Sequence, residues 1–360
     1  MSRRLDRVRE LLEEHTLDGM LITSPSNRYY LSGFLSNDDG GQLTAALLVD
    51  RDVATLMTGA TNLDWARSAA QNVSVAEWSR PWTPVVAEFM REAGWKRVGF
   101  EDATLTVAAF QALSTELGRG HVFFPLGNRI DQLRRMKDPA ERTRMARVIA
   151  LTDGAFAESI ADLSAGMTER AFAWRIDRAL RDQGADGSAF PTIVASGPNS
   201  SRPHHAPSDR VMQEGEAIIV DMGARLDGYN GDLTRTVWIG DPDARLKEIV
   251  DVVYEAHAAA WLKVATGVNA AEVHQVAEAV ASGAGYGEQY LHGTGHGLGL
   301  LVHEAPSCGP SSADVLHEGD VLTIEPGIYL PGWGGVRIED VGVLDKTGFS
   351  RLTGAEQRRP

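Results

Sequence analysis

Four carboxylates and one histidine stand inside or beside apolar, strand-like runs, where an unpaired charge is costly to bury. Asp221 and Asp232 flank a Gly/Asn/Tyr turn in IIVDMGARLDGYNGDLTRT (218–236). Glu325 follows VLTI, Glu339 follows GGVRI, and His296 lies among glycines in HGTGHGLGLLVHE (292–304). Each residue alone has an ordinary explanation, such as a turn or an edge strand. Together they predict strands that converge on a centre for two metal ions.

Two cations held close together repel each other, and bridging carboxylates offset that repulsion. In two-metal hydrolytic sites the ions lie roughly 3.5–4 Å apart, and metal coordination lowers the pKa of bound water to about 7. Ligands without thiolate favour Mn²⁺, with Co²⁺, Fe²⁺ and Zn²⁺ as alternatives. Rigid strands suit such a site because its geometry tolerates little movement. The predicted cofactors are therefore two divalent ions, Mn²⁺ first among them.

Composition narrows the class of protein. A chain of 360 residues is long for a single core, which predicts two domains. No apolar run approaches the roughly 20 residues of a membrane span, and the charged N-terminus lacks the apolar centre of a signal peptide. The single cysteine, Cys308, excludes an internal disulfide and fits a reducing compartment. A net charge of −14 argues against nucleic-acid binding. We expect a cytoplasmic protein without membrane or nucleic-acid partners.

Hydrophobic periodicity divides the chain into a small α/β domain (1–128), a linker (129–138) and a larger α+β domain (139–360) with a mostly antiparallel sheet. In the first domain, helices are predicted at 3–15, 62–70, 84–93 and 106–117, strands at 19–23, 44–50, 53–57 and 97–100, and turns at 24–34. In the second, helices are predicted from 138 to about 163, from Thr168 to Gly184, and at 243–265 and 269–282. The metal-ligand candidates lie on strand segments between and after these helices.

The strings DMGARLDGYNGDLTRT, HGTGHGLG, HEAP, TIEPGIY and GGVRIED follow one another along the second domain. In this order they resemble the pita-bread metallopeptidases, which include methionine aminopeptidase, aminopeptidase P and prolidase. The resemblance implies a pita-bread catalytic domain in which Asp221 binds one metal ion. It further implies that His296 and Glu325 bind the other ion, and that Asp232 and Glu339 bridge both.

A second stretch, GPNSSRPHHAPSDR (197–210), resembles the segment that precedes the first metal strand in the proline-specific branch. The resemblance implies that His204 binds substrate and stabilises the tetrahedral intermediate, that His303 contacts the scissile region, and that Glu325 relays a proton. Ordinary alternatives remain for the histidines. His303 has a potential partner in the adjacent Glu304, and His204 or its neighbour His205 fits a surface loop.

The resemblance implies hydrolysis of Xaa-Pro bonds, by a dipeptidase (prolidase) in preference to an aminopeptidase P that acts on longer peptides. A dipeptidase needs a cation for the C-terminal carboxylate of its substrate, and arginine suits this role. Many prolidases carry an arginine after the HE-P string, where this chain has Ser307. Arg202, beside His204, is the predicted substitute. Arg337 is a further substrate-binding candidate, although it also stands next to Glu339 as a possible ion-pair partner.

An extra α/β domain before the catalytic one also resembles the proline-specific branch, with NRYYLSGF (27–34) as a common segment. The resemblance implies that this domain lines the substrate entrance and that the protein forms a homodimer. Two other classes are considered, a metal-free creatinase-like hydrolase and a non-enzymatic binding module. Both typically lose metal ligands, whereas all five candidates are present here.

Overall fold

The computed structural model describes residues 2–36, 38, 42–357 and 359. The chain forms two compact units, Met1–Arg134 and Arg135–Pro360. The predicted domain boundaries remain a prediction, and most of the proposed linker is helical, since Arg129–Arg135 form a helix.

The first unit is a mixed six-stranded sheet with strand order β4-β3-β2-β1-β5-β6. Its strands are β1 (Gly19–Ile22), β2 (Ala45–Asp50), β3 (Ala54–Thr58), β4 (Ser74–Glu77), β5 (Arg97–Phe100) and β6 (Val122–Pro125). Its helices are α1 (Ser2–Glu14), α2 (Pro25–Ser32), α3 (Ala60–Ala69), α4 (Trp82–Glu92), α5 (Val107–Leu117) and α6 (Arg129–Arg135). β1, β2 and β3 pair antiparallel, and the outer pairs are parallel. This architecture agrees with the predicted α/β domain.

One predicted turn region in this unit is wrong, because residues 25–32 form helix α2. Pro25 starts the helix, and Gly33 ends it in the left-handed conformation with φ of 78°. Arg28 on this helix is fully buried and pairs with Asp38 at 3.0 Å. The contacts that stabilise α2 are therefore tertiary, and the polar local sequence does not reveal them. Strands β4 and β6 also lie outside the predicted set.

The second unit places four helices around antiparallel strand pairs. The helices are α7 (Pro139–Ala161), α8 (Glu169–Asp182), α9 (Ala244–Lys263) and α10 (Ala270–Gly283), close to their predicted positions. The strands are β7 (Gly187–Ser188), β8 (Ile193–Ser196), β9 (Ile218–Met222), β10 (Ala224–Leu226), β11 (Tyr229–Asn230), β12 (Leu233–Val237), β13 (His296–Gly297), β14 (Glu304–Ser307), β15 (Val321–Ile324), β16 (Gly327–Leu330), β17 (Gly334–Arg337), β18 (Asp340–Asp345) and β19 (Gly348–Arg351). These strands pair as β11-β10-β7, β12-β9-β8, β14-β13-β15-β18-β19 and β16-β17. The predicted α+β class with mostly antiparallel sheets is confirmed.

Side-chain caps explain where the long helices begin. Asp138 accepts a hydrogen bond from the backbone N–H of Glu141, whose side chain accepts from the backbone N–H of Asp138. Thr168 caps α8 by accepting from the backbone N–H of Ala171. Both caps satisfy N–H groups that have no partner within the helix. No helix in the described part of the chain combines the length and apolar character of a membrane span.

A buried arginine ties β12 to β18. Arg235 pairs with Asp340 at 2.7 Å, and the two side chains are only 2% and 0% exposed. The same guanidinium donates to the backbone carbonyls of Glu339, Ala355 and Glu356. Because Glu339 is a predicted metal ligand, this network fixes the backbone at one side of the predicted metal centre.

We expect Arg235→Met to lower the free energy of unfolding by about 3–5 kcal/mol, because Asp340 loses a buried partner. The double variant Arg235→Met/Asp340→Leu should lose less, because the buried carboxylate is removed together with its arginine. The remaining loss includes the contact of His257 with Asp340 at 3.1 Å. Urea unfolding measures both variants. Arg178→Ala, which removes an exposed ion pair with Asp182, is the control and should change stability by less than about 1 kcal/mol. An Arg235→Met variant as stable as that control would contradict this account.

Candidate metal centre

The five predicted metal ligands lie on separate strands or strand ends that meet at one cavity of about 640 Å³. Asp221 is in β9, and Asp232 directly precedes β12, which pairs antiparallel with β9. His296 begins β13, Glu325 directly follows β15, and Glu339 directly precedes β18. All five residues line the cavity. The structure thus brings together residues that are far apart in the sequence.

Three of these residues form the tightest group. One ligand atom from each of Asp232, His296 and Glu339 lies within 4.8 Å of the other two. His296 Nε2 lies 3.7 Å from Asp232 Oδ2 and 3.4 Å from Glu325 Oε1. Asp221 lies on the same wall of the cavity, and its side chain is 14% exposed. The donor set is carboxylate and imidazole, which suits divalent cations.

Two carboxylates at this centre, Asp221 and Glu339, are each held by one oxygen and leave the other oxygen open. Asp221 Oδ2 accepts from Arg337 Nη2 at 2.6 Å, and Glu339 Oε2 accepts from Thr234 Oγ1 at 2.8 Å. Asp221 Oδ1 and Glu339 Oε1 are buried and accept no hydrogen bond from any residue the structure describes. A buried acceptor without a partner is costly. Divalent cations fit this arrangement because they would satisfy both open oxygens.

Burial and mutual repulsion shift the protonation of the cluster. Burial, with the neighbouring carboxylates, raises the pKa of Asp232 and of Glu339 well above their ordinary values. Burial also raises the pKa of Glu325. Burial lowers the pKa of His296, which favours the neutral imidazole that binds metals. Bound cations would favour the ionised form of these carboxylates. Metal binding would therefore release their protons.

Two glycines around His296 are explained by close contacts between strands. A Cβ at Gly295 would lie 2.0 Å from the carbonyl oxygen of Thr323, and a Cβ at Gly297 would lie 2.1 Å from that of Ala305. No side chain fits at either position. The glycines therefore allow the segment that carries His296 to pass between β14 and β15.

The histidines predicted to contact substrate occupy different surroundings. His204 and His303 are exposed and line the cavity, and the ring centroids of His303 and His296 lie 4.3 Å apart. His205 also lines the cavity, but its Nε2 lies 2.9 Å from Glu169 Oε2 and its side chain is 9% exposed. The alternative partner for His303 has another contact, since Glu304 pairs with Lys137 at 2.6 Å. This geometry favours His204 over His205 as the residue available to a ligand.

The two arginines predicted to bind substrate differ in their exposure and in whether they line the cavity. Arg202 is exposed and is not among the cavity-lining residues. Arg337 lines the cavity with a buried guanidinium that contacts Asp221, Tyr329 and Thr234. Its ion-pair partner is Asp221, at 2.6 Å, whereas the sequence suggested Glu339. Ser307, at the position where many prolidases have arginine, lines the cavity and is exposed.

Sequence reasoning missed one histidine of the cavity. His292 lines it, with Nε2 2.8 Å from Tyr329 Oη and Nδ1 2.7 Å from the carbonyl oxygen of Gly293. Because a carbonyl only accepts, Nδ1 carries the proton and Nε2 accepts from the tyrosine. The signal was available, since His292 precedes His296 by four residues in HGTGH. The apolar lining, by contrast, has no local motif; it includes Phe190, Pro191, Ile193 and Val302.

Comparison with known proteins identifies the family. The profile of metallopeptidase family M24 matches residues 143–346, more than half of the chain. The chain belongs to this family. A second profile, the creatinase/prolidase N-terminal domain, matches residues 4–136. Membership in a metallopeptidase family implies divalent metal ions and agrees with the donor set described above.

Relatives match along the whole length. The M24 chain is 34% identical over 355 residues to the Xaa-Pro dipeptidase of Lactobacillus delbrueckii subsp. lactis, covering 97% of this chain and 96% of the relative. Among solved structures it is similar to the Xaa-Pro dipeptidase from Bacillus anthracis, with a TM-score of 0.94, 31% identity and 99% of both chains covered. It is also similar to the X-Pro aminopeptidase from Thermotoga maritima, with a TM-score of 0.89, 31% identity and 99% of both chains covered.

The pKa of Asp232 is raised in the folded protein, so the metal-free folded state binds more protons than the unfolded state. Stability of the metal-free protein therefore falls as pH rises above about 4, the ordinary value for aspartate. We expect Asp232→Asn to raise the Tm of the chelated protein, by about 2–4 °C for each 1 kcal/mol of repulsion removed, with a larger gain at pH 8 than at pH 5. With Mn²⁺ present, the variant should instead melt below the wild type.

Differential scanning fluorimetry across pH, with chelator and with Mn²⁺, measures this reversal. The control is Asp251→Asn, which changes an exposed aspartate on α9 and should leave both curves unchanged. An Asp232→Asn gain that does not depend on pH, or that persists with Mn²⁺, would show that electrostatic repulsion is not the cause.

Proposed function

We propose that this M24 peptidase is an Xaa-Pro dipeptidase that uses two divalent metal ions, Mn²⁺ first among the candidates. The observation that carries the proposal is the convergence of five predicted ligands and two substrate-side histidines on one cavity. Likeness to Xaa-Pro dipeptidases over nearly the whole chain supports it. The same five ligands argue against a metal-free hydrolase or a binding module.

In this proposal Asp221 would bind one ion, His296 and Glu325 would bind the other, and Asp232 and Glu339 would be shared by both. Bound divalent ions would supply a water activated near neutral pH and a Lewis acid for the scissile carbonyl. The open oxygens of Asp221 and Glu339 support this assignment, because each already has its second oxygen engaged by the protein.

The side chains around the ions have separate tasks. Glu325 would relay the proton between the attacking water and the leaving nitrogen. His204 and His303, on the exposed side of the cavity, donate hydrogen bonds to the developing oxyanion and to the scissile region. Arg337 is also proposed to bind substrate. Its contacts with Asp221 and Tyr329 support a further role in orienting the carboxylate of Asp221.

Proline at the second position of the substrate requires a dedicated surface, because its tertiary amide has no N–H for ordinary extended-chain recognition. The cavity offers apolar side chains for the ring, from Phe190, Pro191, Ile193 and Val302. Backbone donors matter less for such a substrate than shape and apolar contact do. The lining therefore supports a proline-directed cavity.

A second candidate is an Xaa-Pro aminopeptidase. It is favoured by Ser307, which provides no charge for a C-terminal carboxylate, and by the likeness to an X-Pro aminopeptidase. In the dipeptidase reading Arg202 supplies that charge by turning toward the cavity from its exposed position. We further propose a cytoplasmic homodimer with the domain division predicted from the sequence.

Incubation of the metal-loaded protein with Ala-Pro, Ala-Pro-Ala and Ala-Ala, followed by mass spectrometry, tests the proposal. We expect cleavage of Ala-Pro, with little cleavage of the other two. Preference for Ala-Pro-Ala would favour the aminopeptidase, and cleavage of Ala-Ala at a comparable rate would contradict proline specificity. Metal analysis of the reconstituted protein is the control, since absence of stoichiometric metal would contradict both peptidase readings.

Arg202→Ala separates the two peptidase readings. If Arg202 binds the substrate carboxylate, KM for Ala-Pro should rise at least tenfold, while KM for Ala-Pro-Ala changes little. Steady-state kinetics on both substrates measures the difference. Arg178→Ala, on the exposed face of α8, is the matched control and should alter neither constant. Equal effects of Arg202→Ala on the two substrates would remove the carboxylate clamp from the proposal.

A further inference from the structure

Residues 296–304, called here the histidine loop, carry His296 at one end and His303 near the other. Only its ends lie in strands, since His296–Gly297 form β13 and Glu304 begins β14. Residues 299–303 are a succession of bends, and Leu301 is 44% exposed. An exposed bend of this kind does not by itself hold an imidazole in one orientation. The position of His303 therefore depends on contacts outside the bend.

A buried ion pair fills the inner side of the histidine loop. Lys137 Nζ lies 2.6 Å from Glu304 Oε1, and the side chains are 2% and 5% exposed. The other oxygen, Glu304 Oε2, accepts from the backbone N–H of Leu301 at 3.4 Å. A Cβ at Gly299 would lie 2.3 Å from Glu304 Oε1 and 3.1 Å from Lys137 Cε. The carboxylate thus connects the lysine to the bend.

Lys137 is itself fixed by contacts that do not involve the histidine loop. Its backbone N–H donates to the carbonyl oxygen of Gly319 at 2.9 Å, and its carbonyl accepts from Arg142 Nε at 2.9 Å. The next residue, Asp138, caps α7. The lysine is therefore an anchor at the start of a 23-residue helix.

The same bend is also joined to the segment of Asp232. The backbone N–H and the side-chain Nδ2 of Asn230 both donate to the carbonyl oxygen of Gly299, at 2.9 and 3.0 Å. The Lys137–Glu304 pair lies against this glycine. The histidine loop is therefore connected to the start of α7 through Lys137 and to the segment of Asp232 through Asn230.

We propose that Lys137 is a positioning residue for the peptidase reaction, acting through Glu304 to hold His303 against the metal centre. Lys137 is not among the residues that line the cavity, so it acts without touching substrate. Well-packed apolar residues would fill the same space at lower electrostatic cost. What the ion pair adds is a short, directional bond that fixes the place where β14 starts, one residue after His303.

This inference rests on the proposed function for the identity of the substrate and for the assignment of His303 to the scissile region. A misplacement of about 1 Å at a reacting group lowers turnover by roughly 100-fold, even when the substitution is remote. Because His303 is assigned to the scissile region, loss of the pair acts on the chemical step more than on substrate binding. Substrate affinity depends mainly on the apolar lining, of which Phe190, Pro191 and Ile193 lie outside the histidine loop.

The test compares Lys137→Met, Lys137→Arg and Lys137→Met/Glu304→Leu in the metal-loaded full chain. We expect Lys137→Met to lower kcat for Ala-Pro by roughly 10- to 100-fold with KM within threefold of wild type. Lys137→Arg should restore part of kcat because it keeps the charge-assisted bond. The double variant should recover Tm, since no buried charge is unpaired, but should not recover kcat.

Hydrogen–deuterium exchange gives a readout that needs no substrate. Amides of residues 299–303 should exchange faster in Lys137→Met and in the double variant than in the wild type. The matched control is Lys263→Met, which removes an ion pair of the same 2.6 Å length between the half-buried side chains of Lys263 and Glu272. It should change neither kcat nor exchange in the histidine loop.

The proposal is overturned if the folded Lys137→Met variant keeps wild-type kcat and exchange, or if the double variant recovers kcat together with Tm. If Lys137→Met does not fold, the double variant alone decides between these outcomes. If the wild type fails to cleave Ala-Pro while exchange in residues 299–303 still responds to Lys137→Met, the substrate assignment is wrong and the positioning role stands.

Discussion

Like charges held close together are the constraint on which the catalytic unit depends. Asp221, Asp232, Glu325 and Glu339 come from separate strands or strand ends, and the sheets must keep them at one cavity against their repulsion. The arrangement lowers the stability of the metal-free fold and raises its affinity for cations, because both effects follow from the same unneutralised charge. Rigid antiparallel strands are what make such a cluster sustainable.

Cationic side chains of the protein lie beside this cluster and neutralise it only in part. Arg337 takes one oxygen of Asp221, Arg235 holds Asp340 beside Glu339, and Lys137 holds Glu304 beside His303. In the first case the second carboxylate oxygen remains open toward the cavity. Arg235 and Lys137 instead each pair with a carboxylate that directly follows a site residue in the sequence. Orientation comes from the protein and the remaining neutralisation is left to the metal ions, which is a division of tasks typical of metal sites.

Local sequence signals predicted most of the helices and many of the strands, but few of the tertiary contacts that hold them and the site residues in place. The helix that starts at Asp138 and the helix capped by Thr168 carry their own start signals, and the ligand-bearing strands follow from apolar runs around acidic residues. Helix α2 was missed because its stability comes from burial of Arg28 and other tertiary contacts. Neighbouring histidines on an irregular turn have no periodicity, so only the structure shows that His205 is engaged by Glu169. Lys137 and Glu304 are 167 residues apart, and no local pattern relates them.

The carbonyl groups of Ala355 and Glu356 that receive Arg235 have a consequence for biosynthesis. Arg235 lies between the first and last predicted ligands in the sequence, yet two of its acceptors leave the ribosome after all of them. During translation the nascent chain therefore carries the complete set of acidic ligands before the arginine behind Glu339 is satisfied. Domains fold in the order in which they emerge. The hydrogen bonds that fix the backbone beside Glu339 are therefore completed only after residues 355 and 356 have emerged.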